Sequence, residues 1–309
     1  MKSRIFALLL SGGLALLSCY SVEAEQQKAA QSTGHEGCLP FPDHVTHNDF
    51  NYYILKAYKQ MPQKGGYSVK APSAKNLATK AVVWDAEKGE LQVNIAQAQP
   101  SFCSAACYIM LLHALKLWER ETHFSLPSDA WKMMDIKYGL PDGKMVWGRA
   151  NANGPSYAKL IHDIDAGESF TDINDARAGD FLKFFWTDEI GAKERGHMVV
   201  FLGTEQKEGK TCIRYWSSNV PDGYSERVVP IEKMHHLIFT RISRPSNFAR
   251  VTKLPTLDSW LGDMLKKSCS FDEARKVCGI IASGTHSGIV QATEAVQGKS
   301  EFKPRGGKK

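Results

Sequence analysis

The sequence predicts an α+β fold in which N-terminal helices pack on a C-terminal antiparallel sheet. Helical patterns fill most of the first half of the chain, and strand patterns separated by turn residues dominate the second half. No repeat of about 20–50 residues is visible, which argues against a solenoid or a propeller. The 309 residues are 43% hydrophobic and 23% charged, which is typical of a globular chain and excludes a mostly disordered or multi-spanning one.

The helices are predicted from amphipathic or apolar segments. His47–Met61 has an apolar stripe, and Pro62 and Gly65-Gly66 end it. Ser101–Arg120 is strongly apolar and begins directly after Pro100. Three further helices are predicted at Ser128–Tyr138, from Pro155 or Ser156 onward, and after Pro255.

The strands are predicted from alternating or continuous apolar runs. A hairpin over Ala81–Ile95 turns at Lys88-Gly89. Four later strands are predicted at Asp180–Trp186, His197–Glu205, Thr211–Asn219 and His236–Ser243. Since turn residues separate these runs, we expect them to form an antiparallel sheet.

The net charge of +6 does not indicate a nucleic-acid-binding domain. A DNA-binding domain carries its basic residues on the folded face that contacts phosphate. Here five basic residues and one acidic residue lie in the terminal segment 299–309. We therefore expect no nucleic-acid partner.

The N-terminus has the pattern of an export signal. Lys2 and Arg4 precede the apolar run Ile5–Leu17, which is too short to span a bilayer permanently. Cleavage after Val22-Glu23-Ala24 would release a soluble protein. Leu16-Leu17-Ser18-Cys19 resembles a bacterial lipobox, which would instead tether the protein to a membrane through Cys19. Both routes predict a periplasmic or secreted location, the second as a lipoprotein.

Export changes the expectation for the cysteines, because disulfides persist outside the reducing cytosol. Cys269 and Cys278 flank a helical segment and are a candidate bridge; the other pairings stay open. No His/Cys spacing typical of zinc is present, so we expect neither a metal nor another cofactor.

Cys103 is the candidate nucleophile. It lies at the start of the Ser101–Arg120 helix, where unpaired N–H groups and the positive helix end favour a thiolate. Cys107 lies one turn further along, where it feels less of the dipole. The alternative is that Cys103 is a core or disulfide-bonded cysteine.

His197 is the candidate general base, because it begins an apolar strand where an imidazole is held rigidly and can face a cleft. Asn219 ends the next predicted strand. In an antiparallel hairpin the two residues lie at the same end of the sheet, so Asn219 is the candidate that orients the imidazole. The alternative is that Asn219 only turns the chain before Val220-Pro221.

The chain resembles the NlpC-type papain-like cysteine peptidases over about residues 65–245. The resemblance is carried by the FCSAAC helix start, by ARAGDFLKFFW at Ala176–Trp186, and by RGHMVVFLG at Arg195–Gly203. It implies a papain-like fold with Cys103 as nucleophile, His197 as base and, less directly, Asn219 as the orienting residue. It also implies cleavage of amide bonds in bacterial cell-wall peptides.

The papain-like interpretation requires an oxyanion donor. Gln97 and Gln99 precede Cys103, where papain-like enzymes often place a glutamine, and Tyr67 occupies the place where NlpC-like proteins tend to use a tyrosine. Candidate substrate-binding residues lie in a polar loop: Trp147, Arg149, Asn151 and Asn153. Arg149 would clamp a substrate carboxylate, and the two asparagines would bind peptide or glycan.

The predicted organisation is a signal peptide over 1–24, a flexible leader over 25–46, a papain-like catalytic domain with C-terminal helices over 47–290, and a basic disordered tail over 291–309. The leading hypothesis is an exported cysteine amidase or peptidase acting on peptides. Two alternatives stay open. One is an inactive, disulfide-stapled binding protein in which Cys103 is bridged in the neighbourhood of Cys107 or to Cys38. The other is a transglutaminase-like acyltransferase that passes the acyl group to an amine.

Overall fold

The structure is a computed structural model, and it describes residues 45–280. The predicted signal peptide with its lipobox, nearly all of the leader, and the tail lie outside these residues, as does Cys38. Among the described residues, no helix is both long and apolar enough to cross a membrane.

The described chain is a mixed α+β structure, as the order of patterns predicts. The helices are α1 (Phe50–Gln60), α2 (Ala71–Asn76), α3 (Cys103–Thr122), α4 (Ser128–Met133), α5 (Met145–Asn151), α6 (Ser156–Asp163), α7 (Ser259–Asp263) and α8 (Phe271–Val277). Short 3₁₀ segments lie at Ile95–Gln97, Ile173–Asp175, Ile231–Lys233 and Pro245–Lys253.

The strands form one large sheet and two small ones. They are β1 (Lys64–Gly65), β2 (Val82–Asp85), β3 (Glu90–Val93), β4 (Gly167–Phe170), β5 (Phe181–Phe185), β6 (Ile190–Gly191), β7 (His197–Lys207), β8 (Lys210–Asn219), β9 (Gly223–Pro230), β10 (His236–Ile242) and β11 (Ser268–Cys269). The large sheet has the order β1-β9-β8-β7-β5-β10-β4 with antiparallel neighbours throughout. β2 and β3 form the predicted hairpin.

Three strands of the large sheet were not predicted: β1, which has only two residues, and the longer β9 and β4. β9 carries the sequence GYSERVVP, in which the run of partly exposed polar residues hides the apolar period. β4 is only four residues long and is polar at Glu168 and Ser169. Both are strands because they pair with long neighbours, β8 and β10, so tertiary pairing outweighs their weak local preference.

Alternating side chains divide the core into two clusters on the two faces of the sheet. Met198 and Val200 of β7 pack in the same cluster as the buried residues of α3. Val199 and Phe201 point the other way, into a second cluster that includes Ile231 and Met234. The period of two in β7 therefore places the long apolar helix on one face only.

α4 is shorter than predicted. It spans Ser128–Met133, whereas the sequence suggests Ser128–Tyr138. No side chain caps its start, and the Ser128 hydroxyl, in the first turn, donates to the Gly89 carbonyl oxygen at 2.5 Å.

The predicted bridge between Cys269 and Cys278 is not formed, since both are free, buried thiols. They pack in one cluster but lie before and after α8, a helix of seven residues. Such a helix is about 10 Å long, whereas bridged cysteines have Cα atoms within about 7 Å of each other. The helix between the two cysteines therefore holds them apart.

Arg149 is buried in an ion-pair network that joins α5, α6 and the segment before α7. Its side chain is 2% exposed, and its guanidinium contacts Asp258 at 2.9 Å and Asp163 at 3.4 Å. It also donates to the Pro255 carbonyl oxygen at 2.8 Å. The prediction that Arg149 clamps a substrate carboxylate is therefore wrong, because its guanidinium is already paired with two carboxylates of the protein itself.

Replacing Arg149 should destabilise the fold. Arg149→Met leaves the Pro255 carbonyl without its donor and weakens the neutralisation of Asp258, and breaking a buried pair costs about 3–5 kcal/mol. The free energy of unfolding from urea denaturation measures the loss. The matched control is Arg250→Met, which removes an exposed pair with Asp165 and should cost about 1 kcal/mol or less. Equal losses in the two variants would contradict the structural role.

Candidate functional site

The candidate site lies where the start of α3 meets the adjoining ends of β7 and β8. α3 begins at Cys103, and Phe102 before it is extended with no side-chain cap. The first N–H groups of the helix therefore point toward the thiol region without a competing side-chain acceptor. Cys103 is partly exposed, and both Cys103 and Cys107 are free thiols. The structure therefore does not show the bridged Cys103 that the binding-protein alternative requires.

His197 and Asn219 lie next to each other, as the hairpin argument predicts. β7 and β8 pair antiparallel, and His197 Nε2 is 3.1 Å from Asn219 Oδ1. Asn219 is 5% exposed, and its Nδ2 donates to the carbonyl oxygens of Ser217 at 3.1 Å and Ser225 at 2.8 Å. Since these bonds fix the amide orientation, Oδ1 accepts from Nε2–H and leaves His197 Nδ1 for another partner.

Cys103 is near this imidazole, because His197 is a main cause that lowers the pKa of its thiol. The imidazole is also held by aromatic contacts, with ring centroids 5.3 Å from Phe184 and 5.8 Å from Tyr215. The structure therefore brings Cys103, His197 and Asn219 together, with His197 hydrogen-bonded to Asn219 and close to the thiol.

The surroundings of Cys103 favour its thiolate. Burial raises the pKa of the thiol, but the hydrogen bond and charge of His197, the charge of Lys183 and the Met198 N–H outweigh it and lower the pKa to about 6. Burial keeps the pKa of Cys107 well above its ordinary value. The two thiols on one helix therefore differ in chemical state, with Cys103 the reactive one.

Lys183 is a residue of the candidate site that the sequence analysis did not identify. It is 4% exposed within β5, where every residue is buried, and it pairs in register with Met198. Burial lowers its pKa, while the charges of Cys103, Cys107, Asp142 and Glu194 raise it. Within residues 45–280 no carboxylate forms an ion pair with it. The signal in the sequence is the single charge in the apolar run DFLKFFW.

Gly196 explains how Lys183 reaches the site. A Cβ on Gly196 would lie 2.6 Å from Lys183 Cε and 2.6 Å from Phe185 Cε1, and its φ is +73°. Only glycine combines this conformation with so little space. The glycine before His197 therefore lets the lysine side chain pass beneath the start of β7.

Of the three predicted oxyanion donors, the structure brings only Tyr67 to the thiol. Its side chain is near Cys103, because burial and then the charge of Cys103 raise the tyrosine pKa to about 12. Tyr67 therefore stays protonated and keeps a donor beside the sulfur.

The predictions for Gln97 and Gln99 are corrected. Gln99 donates to the carbonyl oxygens of Gln63 at 2.9 Å and Lys64 at 3.1 Å, so its amide holds the turn before β1. Gln97 lies exposed in a 3₁₀ segment.

The predicted loop residues separate into two groups. Asn151 lies beside the site, where its Oδ1 accepts from the Ser104 hydroxyl at 2.8 Å and its amide donates to Asp142 at 3.4 Å. Trp147 is 6% exposed and packs in the core, its ring 5.2 Å from that of Tyr108. Asn153 is 9% exposed and donates to the carbonyl oxygens of Gly191 and Met264. Substrate contact therefore fits Asn151 and does not fit Trp147 or Asn153.

Asp142 and Arg195 are two further residues that sequence reasoning missed. Burial raises the pKa of Asp142, while the Asn153 N–H, Asn151, Lys183 and Arg195 lower it, leaving it raised overall. Arg195 is exposed, and its charge also acts on Tyr67. The rim of the site therefore has both an acidic and a basic group.

Alkylation of Cys103 should begin at unusually low pH. Because the pKa of the thiol is lowered to about 6, thiolate is present above that pH and is lost as the pH falls through it. The rate of carbamidomethylation by iodoacetamide should therefore reach half its maximum near pH 6, rather than near the ordinary value of about 8.5. Peptide mapping by mass spectrometry follows Cys103, with the buried Cys107 as the internal control. A midpoint above pH 8 would contradict the assignment.

Lys183→Met should raise the pKa of the Cys103 thiol. Removing an opposite charge near the sulfur raises this pKa by about one or more, so the alkylation midpoint moves to higher pH. The same variant should keep the circular dichroism spectrum of the parent, because methionine retains the volume of the buried side chain and the Cys103 thiol becomes neutral when the opposite charge is lost. Lys207→Met, at the far end of β7, is the matched control. An unchanged midpoint in Lys183→Met would show that Lys183 does not support the thiolate.

Among known proteins, no family model, curated protein or solved structure matches this chain. Its chemistry is therefore inferred from the geometry of its own side chains.

Proposed function

We propose that this protein is an exported cysteine amidase or peptidase with a papain-like fold. One observation carries the proposal: His197 lies between Asn219 and a Cys103 thiol whose pKa is lowered to about 6. A thiolate beside an oriented imidazole at a helix N-terminus is the arrangement that nucleophilic acyl transfer requires. The order of elements, with the nucleophile on a helix and the base on the sheet, is consistent with the resemblance to NlpC-type peptidases.

The proposed reaction proceeds through a thioester. The Cys103 thiolate attacks the amide carbonyl carbon, and the tetrahedral oxyanion accepts hydrogen bonds from the Tyr67 hydroxyl and from the N–H groups that begin α3. The C–N bond then breaks, and the His197 imidazolium gives its proton to the leaving amine. Water attacks the thioester as His197 removes its proton, which releases the carboxylic acid and restores the thiolate–imidazolium pair.

The proposed substrate is a short peptide of the bacterial cell wall. The resemblance supports this class, and the predicted export signal would deliver the protein to the wall. The polar groups around the site support a peptide that carries charges of both signs, since Asp142 and Arg195 face it together with Asn151. Asp142 suits an amino group and Arg195 a carboxylate.

Cys103→Ala should abolish amide cleavage. The expected result on purified cell-wall muropeptides is no new amine or carboxyl group, while the circular dichroism spectrum stays that of the parent. Asn219→Ala should lower kcat about 10²-fold, because the imidazole loses its orientation. The thiol control is Cys212→Ala in β8, which removes a buried cysteine outside the site and should keep full activity.

The same assay separates the alternatives. An added amine that appears in the product in place of water would support the acyltransferase. Tight binding of muropeptides without turnover by the parent would support the binding protein. Cleavage that continues in Cys103→Ala would refute the cysteine mechanism.

A further inference from the structure

Three metal-ligating side chains converge outside the candidate site. His235 Nε2 lies 2.9 Å and His236 Nε2 lies 2.5 Å from the same oxygen, Oδ1 of Asp188. One ligand atom from each of the three side chains lies within 4.8 Å of the other two. Spacing in the sequence does not predict this cluster, because Asp188 is separated from His235 by 47 residues.

Backbone pairing positions the two histidines, and an aromatic contact positions the ring of His236. His236 is the first residue of β10 and pairs with Phe185 at the end of β5, and the His235 N–H donates to the Phe185 carbonyl oxygen at 2.8 Å. The Phe271 ring stacks on His236 with centroids 4.0 Å apart and an angle of 11°. The sheet therefore fixes the backbone of both histidines, and α8 holds the His236 ring, so the site lies on rigid elements.

The hydrogen bonds from the two histidines to Asp188 contribute too little free energy to explain why the three side chains converge. The Asp188 side chain is 72% exposed and that of His235 is 50% exposed. Exposed pairs of this kind contribute about 0–1 kcal/mol, and ordering the side chains costs conformational entropy. Two imidazole nitrogens and one carboxylate oxygen at a common point are, however, a ligand set that Zn²⁺ prefers.

We propose that Asp188, His235 and His236 bind a Zn²⁺ ion, with water in the fourth position. Tetrahedral zinc with bonds of about 2.0–2.1 Å places neighbouring ligand atoms about 3.3 Å apart. The two separations from Asp188 Oδ1, 2.9 and 2.5 Å, need to widen by less than about 1 Å, which the exposed side chain of Asp188 permits. A positive charge near the site would oppose a cation, but Arg275, whose charge acts on His236, is paired with Asp272 at 2.5 Å.

The proposed ion would link two elements of the fold. Asp188 lies in the segment that leads from β5 through Arg195 and Gly196 to His197. An ion bound by Asp188 and by the histidines at the start of β10 would attach the first part of this segment, the part farthest from His197, to the sheet. This role does not depend on the proposed amidase activity.

Zinc binding by the full, untagged chain tests the proposal. The parent is Cys103→Ala, because Cys103 and His197 would otherwise offer a second pair of ligands. Isothermal titration of the metal-free protein with ZnCl₂ should show one Zn²⁺ bound per chain at this site. Even changes outside the ligand shell weaken metal binding about 10–100-fold, so Asp188→Asn and His235→Ala should each weaken it at least about tenfold.

The controls are an exposed carboxylate and an exposed imidazole elsewhere, Asp263→Asn and His47→Ala, and both should bind Zn²⁺ like the parent. Co²⁺ in place of Zn²⁺ should give ligand-field absorption without a thiolate charge-transfer band, which excludes cysteine ligands. Circular dichroism of metal-free Asp188→Asn should match that of the parent. Absence of zinc binding, or equal binding by Asp188→Asn, His235→Ala and the parent, would overturn the proposal.

Discussion

The packing of α3 against β7 and β8 is the constraint on which the candidate site depends. The helix contributes an almost fully buried run from Ser104 to Leu112, and that run lies in one cluster with Met198, Val200 and Trp216 of the two strands. Burying so much apolar surface leaves the helix little freedom to shift. Its first residue, Cys103, is therefore held against the strand end that carries His197.

Polar contacts at the end of β8 set the position of the segment before the helix. The Ser218 hydroxyl donates to the Ser101 carbonyl oxygen at 3.0 Å, and the Tyr224 hydroxyl donates to that of Ala98 at 2.8 Å. Ser217 donates to the Met198 carbonyl oxygen at 2.7 Å. These bonds are buried, where an unmade bond is costly. The same strand end therefore holds Asn219 against His197 and the nucleophile segment against the sheet.

Charge balance links the fold to the chemistry. A buried ammonium is costly unless an opposite charge lies close to it, and among residues 45–280 no carboxylate pairs with Lys183. The Cys103 thiolate supplies a negative charge to Lys183, and Lys183 with His197 lowers the pKa of the thiol. Burial disfavours each of these charges when the other is missing, so the Lys183 ammonium and the Cys103 thiolate stabilise each other.

The sequence by itself determined the class of fold, most long elements and the three central residues. The apolar patterns of Phe50–Gln60, Cys103–Thr122 and the two strands within His197–Asn219 are strong because each element buries a whole face. Since the two strands pair antiparallel, His197 and Asn219 must lie at the same end of the sheet. Tertiary structure alone decided which polar residues are free to act. Arg149 forms an ion pair with Asp258, and Gln99 donates to the backbone next to β1. Lys183 passes close to Gly196 and so reaches the thiol. Such partners lie tens of residues away along the chain, and no local pattern encodes a contact that depends on how distant elements pack.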